Sequence, residues 1–267
     1  MTPFQPPDRR HPLVELILAG IYGALIGSFL NVVIHRLPRG QSIVSPPSRC
    51  PGCGALVRPW DNIPIVSWLI LGGRCRDCRN PISIRYPIVE AVGAILVVLV
   101  VERWGVTPIA AIYAAFSLSM LVITMIDLDH QIIPDVITIP GTLLALLLVN
   151  WTEPTWVDAL IGAVAGFVVL YGVGEAYHRS TGIEGMGGGD IKLAAYMGAM
   201  LGWKGVLLTI FIGAFAGSLA GIAAMLIGKG HRRTALPFGT FLAPAAVITL
   251  FYGQALIEAY LGLIFRR

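Results

Sequence analysis

Charge is scarce in this chain. Asp, Glu, Lys and Arg make up 13% of its 267 residues, while 56% are hydrophobic and the mean hydropathy is +0.77. A soluble core of this size has no room for so many apolar side chains, which excludes a freely soluble globular domain. Cysteine is scarce too: there are four, all between positions 50 and 78, so no disulfide framework runs through the chain. A Gly-rich strand-to-helix loop of the Rossmann type is missing, so no nucleotide-type cofactor site can be located by motif. No small-residue cleavage pattern follows the first apolar run, which is therefore expected to be retained rather than removed as a signal. The net charge of +4 comes without stacking aromatics beyond Trp60 and Trp68, so no nucleic-acid partner is expected.

What the chain does have is long apolar runs. A hydrocarbon core about 30 Å thick takes roughly 20 apolar residues per helix, and the sequence offers about seven or eight such stretches. They fall near residues 13–35, 86–103, 107–126, 132–150, 156–177, 190–202, 204–228 and 237–264. The sixth is short and led by glycine, as a half-span would be. The expected fold is an all-α polytopic membrane protein with about seven or eight transmembrane helices and a small cytoplasmic zinc-ribbon-like segment. With the N-terminus outside, most of the 19 basic residues fall on the cytoplasmic side, Arg36, Arg49, Arg58, Arg74, Arg76 and Arg85 among them.

The largest segment outside the apolar runs, roughly residues 36–86, holds every cysteine. Cys50-x2-Cys53 is followed by 21 residues and then Cys75-x2-Cys78. Two such knuckles can aim four thiolates at one tetrahedral zinc, a structural site because the protein fills every position. The other reading, two disulfides, needs an oxidising compartment, whereas the arginines put this loop in the cytosol. A segment this small also needs a staple in place of a core.

A carboxylate at or near a span is a functional candidate by default. Glu90, Asp127, Asp129, Asp135 and Asp190 qualify. In "TMIDLDHQIIPD", Asp127 ends an apolar helix on the cytoplasmic side, and Pro134 is placed to open the next helix, with Asp135 as its polar start. Asp190 also falls at the cytoplasmic end of a span. Two carboxylates at one depth on one face suggest a pair sharing a proton, one activating water and the other protonating a scissile carbonyl. In "GMGGGD", Gly187, Gly188 and Gly189 precede Asp190; lacking Cβ atoms, they permit unusual dihedrals and close approach of another backbone. Taken alone, an aspartate after glycines reads better as a helix start.

"IDLDHQIIPD" followed by "GMGGGDIKL", with "GSFLNVVIHRLP", the paired knuckles, "DNIPIVSWLILGGRCRDC" and "ISIRYPIVE", resembles the bifunctional bacterial type IV prepilin peptidases of the GxGD aspartyl protease class. The resemblance covers nearly the whole chain. It implies a leader peptidase that cuts prepilins or type II secretion pseudopilins after a glycine and then methylates the new N-terminal residue with S-adenosylmethionine. It implies catalytic roles for Asp127 and Asp190, with Asp129, Gly187 and Gly189 as possible support, and zinc on Cys50, Cys53, Cys75 and Cys78. It also implies a multi-pass protein of the bacterial inner membrane, embedded in the lipid bilayer, with its active site facing the cytoplasm. Residues 1–90 would form the methyltransferase-associated part, and residues 91–267 the peptidase domain. No residues are assigned to the methyl donor: His35 reads as a helix-end anchor and Glu90 as a partner for Arg85. Pro237 and Gly239 in "LPFGTFLAP" are expected to line the cleft, and Glu184 to be a loop residue able to attract a basic leader. Competing functions are a transporter, for which no convincing half-to-half repeat is found, a non-enzymatic zinc scaffold, and a GxGD protease of other peptides, which the knuckles argue against.

Overall fold

The computed structural model describes residues 12–183, 185–227 and 237–265. Among the described residues the chain is helical, and its only β pairing is two isolated bridges. Apolar runs in hydrocarbon must satisfy their own backbone hydrogen bonds, and helices do so without a neighbour. Eight α-helices are described: α1 (Leu13–Arg36), α2 (Val66–Ile70), α3 (Arg85–Trp104), α4 (Pro108–His130), α5 (Asp135–Leu147), α6 (Trp156–Thr181), α7 (Gly188–Leu226) and α8 (Gly239–Phe265).

Five of these, α1, α4, α6, α7 and α8, are long and apolar enough to cross a membrane. The all-α multi-pass fold is as expected, but one stretch differs from the sequence reading. The stretch near 132–150 yields α5 of 13 residues, about 20 Å at 1.5 Å per residue and short of a full span. Helix α3 has 20 residues and carries Glu90, Glu102 and Arg103. The stretches 190–202 and 204–228 lie on the two halves of α7, which Gly202 separates with φ 72° and ψ 175°, a backbone state that glycine reaches without a Cβ clash. Large apolar side chains such as Ile161, Val164, Phe211 and Phe215 stand exposed on α6 and α7, the pattern of a helix surrounded by lipid rather than by protein.

The chain divides into two compact units, residues 1–122 and 123–267, with the boundary inside α4. In the first, α1 and α3 cross where side chains vanish. A Cβ on Gly23 would lie 2.7 Å from the Ala94 Cα, and one on Gly27 would lie 2.8 Å from the Glu90 Cα. Asn31 Nδ2 donates to the Tyr86 carbonyl at 3.2 Å. In the second unit, Gly162 and Gly166 of α6 meet α7 so closely that their Cβ atoms would lie 2.2 Å from the Gly198 carbonyl oxygen and 2.3 Å from that of Ala194. Small residues four apart let backbones touch, as transmembrane helix packing requires where water exclusion supplies no drive. This contact fixes the N-terminal half of α7, and with it residue 190.

Candidate active site

Helix α4 runs one turn past Asp127 to His130, and Gln131 then adopts φ 54°. Pro134 is the N-cap of α5, one position earlier than the sequence suggests, and Asp135 begins the helix. The turn between α4 and α5 thereby carries Ile133 back against two other elements. A Cβ on Gly189 would lie 2.9 Å from Ile133 Cβ, and one on Gly239 would lie 2.8 Å from Ile133 Cδ1. Gly189 directly precedes Asp190, and the Gly239 position also abuts Asp127, its Cβ falling 3.0 Å from Oδ2. The first turns of α7 and α8 and the end of α4 thus gather around one side chain. The positions beside the two carboxyl groups, Gly189 and Gly239, share one neighbour.

Asp127 is 4% exposed. Its Oδ2 accepts the Thr240 backbone N–H at 2.6 Å and the Thr240 hydroxyl at 3.0 Å. Asp190 is the third residue of α7, whose N-cap is Gly187. Its carboxyl turns back on the Gly187 N–H, as an acidic residue in the first turn does in a capping box. Its Oδ1 is buried with no donor. A carboxylate serving only as a helix start belongs at the solvated surface; one oxygen buried and unpartnered is a cost of roughly 1–3 kcal/mol that calls for a purpose.

The glycines act by space and not by dihedral. Gly187 has φ −71° and ψ 141°, ordinary extended backbone, and none of Gly187, Gly188 and Gly189 has positive φ. A Cβ on Gly187 would lie 3.2 Å from Asp190 Oδ2, whereas one on Gly188 would meet nothing within 4 Å. Asp129 is exposed and lies roughly 200° around α4 from Asp127, on a different face from the carboxyl gathered at Ile133. Asp135 pairs with Lys192 Nζ at 2.7 Å, tying the start of α5 to the start of α7. Gly239 opens α8 beside Asp127, with Pro237 two residues earlier; Glu184 lies outside the described residues. Sequence reasoning passed over Thr240 and Ile133, because a hydroxyl after "PFG" and an isoleucine before a proline carry no motif of their own.

A second cluster lies in the first unit. The four cysteine sulfurs fall within 4.8 Å of one another, and Cys50 Sγ lies 3.7 Å from Cys78 Sγ. A tetrahedron with bonds of about 2.3 Å has edges of about 3.8 Å, so the donor set fits one tetrahedral metal. No disulfide is formed. Each knuckle is closed in the same way. Cys50 N donates to the Ala55 carbonyl at 2.9 Å, and Cys75 N to that of Asn80 at 2.8 Å; the bridges Arg49 to Leu56 and Arg74 to Pro81 flank them. The residue after the second cysteine has positive φ in both, Gly54 at 72° and Arg79 at 60°. Backbone N–H groups of Cys53 and Gly52 draw the Cys50 thiol down to about 7, favouring the thiolate that a metal needs. Arg76 grips Asp61 at 2.6 Å, and this hydrogen bond holds the Asp61 carboxyl below its ordinary value. Arg58 reaches Asp77 at 3.2 Å, so the intervening loop is tied to the second knuckle twice. Glu90 accepts the Ile65 N–H at 2.7 Å. The Arg39 guanidinium donates to the His35 carbonyl at the end of α1.

Five long apolar helices, a candidate acid pair in the second unit and a four-cysteine cluster in the first describe a multi-pass membrane protein. Residues 21–104 match the profile of the bacterial peptidase A24 N-terminal domain, and residues 114–222 that of the type IV leader peptidase family. The chain is 37% identical to the prepilin leader peptidase/N-methyltransferase of Pseudomonas aeruginosa over 94% of its own length and 95% of the relative's. It is 38% identical to the protein of the same name from Aeromonas hydrophila over 94% and 95% of the two chains, and 37% identical to that of Burkholderia pseudomallei over 90% and 86%. The chain belongs to the type IV leader peptidase family. No solved structure matches it.

Proposed function

We propose that this protein cleaves the leader of type IV prepilins or type II pseudopilins after a glycine and then methylates the exposed N-terminal amine, with Asp127 and Asp190 as the catalytic residues of the first reaction. The observation that carries the reading is that Gly189, which precedes Asp190, and Gly239, which abuts Asp127 Oδ2, both face Ile133, with Asp190 Oδ1 buried and undonated. Two interacting carboxyl groups hold one proton between them. The ionised one takes a proton from water as the water oxygen bonds to the scissile carbonyl carbon. The carbonyl π pair moves to its oxygen, which takes the proton from the other carboxyl. Collapse breaks the C–N bond, the departing nitrogen receives the proton lifted from water, and the hydroxyl proton returns to its carboxyl. One water is consumed, and a carboxyl and an amine are produced.

The location suits the substrate. A prepilin keeps a basic leader in the cytoplasm and its apolar helix in the bilayer, so the scissile bond lies at the interfacial depth where α4 and α7 have their cytoplasmic ends. Water reaches that depth and not the bilayer centre. Basic residues between α1 and α3 support a cytoplasmic active site in the bacterial inner membrane. Gly187 and Gly189 support the pair by leaving room beside Asp190.

Zinc on Cys50, Cys53, Cys75 and Cys78 would hold the cytoplasmic segment together, a structural role because four thiolates leave no open position. We associate methylation with residues 1–90, which hold the four-cysteine segment, and peptide cleavage with residues 91–267. In the second reaction the nitrogen lone pair of the new amine would bond to the methyl carbon of S-adenosylmethionine as the methyl–sulfur bond breaks with its electrons on sulfur, releasing S-adenosylhomocysteine, and the nitrogen would lose one proton to solvent. The test is full-length protein with a prepilin, with and without S-adenosylmethionine, followed by mass spectrometry of the product's N-terminus. Asp190→Ala should abolish cleavage yet still methylate a pre-cleaved pilin; leader removal by that variant would overturn the assignment.

A further inference from the structure

We propose that Thr240 is a positioning residue for peptide cleavage, fixing the Asp127 carboxyl through Oδ2 so that Oδ1 is the oxygen left to water. The proposal rests on the reading of Asp127 and Asp190 as the cleaving pair. Two donors from one residue converge on a single oxygen, the N–H at 2.6 Å and the hydroxyl at 3.0 Å, across 113 residues of chain. The N–H belongs to the first turn of α8, where backbone donors have no partner within the helix, so giving it to Asp127 costs α8 nothing. Gly239 completes the fit, since a Cβ there would stand 3.0 Å from the same oxygen. The β-branch of Thr240 limits its rotamers in a helix and holds the hydroxyl where it donates.

Asp190 has no such clamp, because its buried Oδ1 receives no donor. A dyad performs its chemistry only when its two carboxyls differ, and this asymmetry divides the roles. Asp127, held as an acceptor, takes the proton from the attacking water at Oδ1. Asp190 carries the shared proton and gives it to the carbonyl oxygen as the carbon to oxygen bond forms. A carboxyl held to within a few tenths of an ångström presents its free oxygen to water in one orientation, which affects the rate of the bound complex and not the binding of substrate.

Thr240→Val keeps the shape and deletes the hydroxyl, whereas Thr240→Ser keeps the hydroxyl and loses a methyl. Both are measured in the full-length protein for kcat and KM of leader cleavage, beside Asp127→Asn, with methylation of a pre-cleaved pilin peptide as the check on folding. The expected result is a kcat about tenfold lower for Thr240→Val, an unchanged KM, most of the rate restored in Thr240→Ser, and intact methylation in both. Full activity of Thr240→Val beside an inactive Asp127→Asn would overturn the role of Thr240 and leave the pair standing. Equal impairment of Val and Ser variants would overturn it too, reducing Thr240 to packing. Cleavage by Asp127→Asn would overturn the pair and this proposal with it.

Discussion

The cysteine cluster and the carboxyl pair are assembled by opposite strategies. The thiols come in two short knuckles, each closed by backbone hydrogen bonds a few residues apart, and only the pairing of knuckles is long-range. The carboxyls come from helix ends far apart in sequence: Asp127 is held by the first turn of α8, and Asp190 is carried by α7, against which α6 and α8 pack. One site is local chemistry awaiting an ion; the other is a by-product of helix packing. The first is therefore sensitive to ligand loss and the second to substitutions well away from its own residues.

The largest effect that would separate them is at Gly198. A Cβ there would stand 2.0 Å from the Gly162 carbonyl oxygen, so Gly198→Leu must push α6 and α7 apart. Leader cleavage should fall below detection while metal content stays at wild-type stoichiometry; retained cleavage would break the link between packing and the carboxyl pair. Cys50→Ser tests the other side. Metal content should drop and limited proteolysis should open the loop between α1 and α3, because folding free energy supplied by the metal is gone; unaltered metal stoichiometry would count against the zinc site. A smaller change sharpens the role of the glycines. Gly189→Ala puts a Cβ 2.9 Å from that of Ile133 and should slow cleavage severalfold, whereas Gly188→Ala, which meets nothing within 4 Å, should leave the rate unchanged. The smallest effect is expected at Arg79, whose φ of 60° repeats that of Gly54. Arg79→Gly should stabilise the segment by up to about 1 kcal/mol, read as a higher unfolding midpoint; a lower midpoint would show that its side chain matters more than its backbone.

The two strategies also explain what could be read in advance. Cys50, Cys53, Cys75 and Cys78 were legible because spacing within a knuckle is set by the chain itself. Asp127 and Asp190 stood out as charges in apolar surroundings. Thr240 did not, because nothing local distinguishes a threonine that donates across 113 residues from one that caps its own helix. The length of α5 was misread because apolar composition continues through Leu148 and Val149 while the helix stops at Leu147. The glycines before Asp190 were expected to take special dihedrals and do not, a difference that sequence cannot express.

Ile133 touches the positions beside both carboxyls, Gly189 through its Cβ and Gly239 through its Cδ1. It therefore works as a gauge block for the two helix starts: one hydrocarbon side chain, inserted from a third direction, stands against Gly189 of α7 and Gly239 of α8. Trimming its outer methyl would slacken the α8 wall and leave the α7 wall seated, so the seating of one helix start can be adjusted without altering either acid.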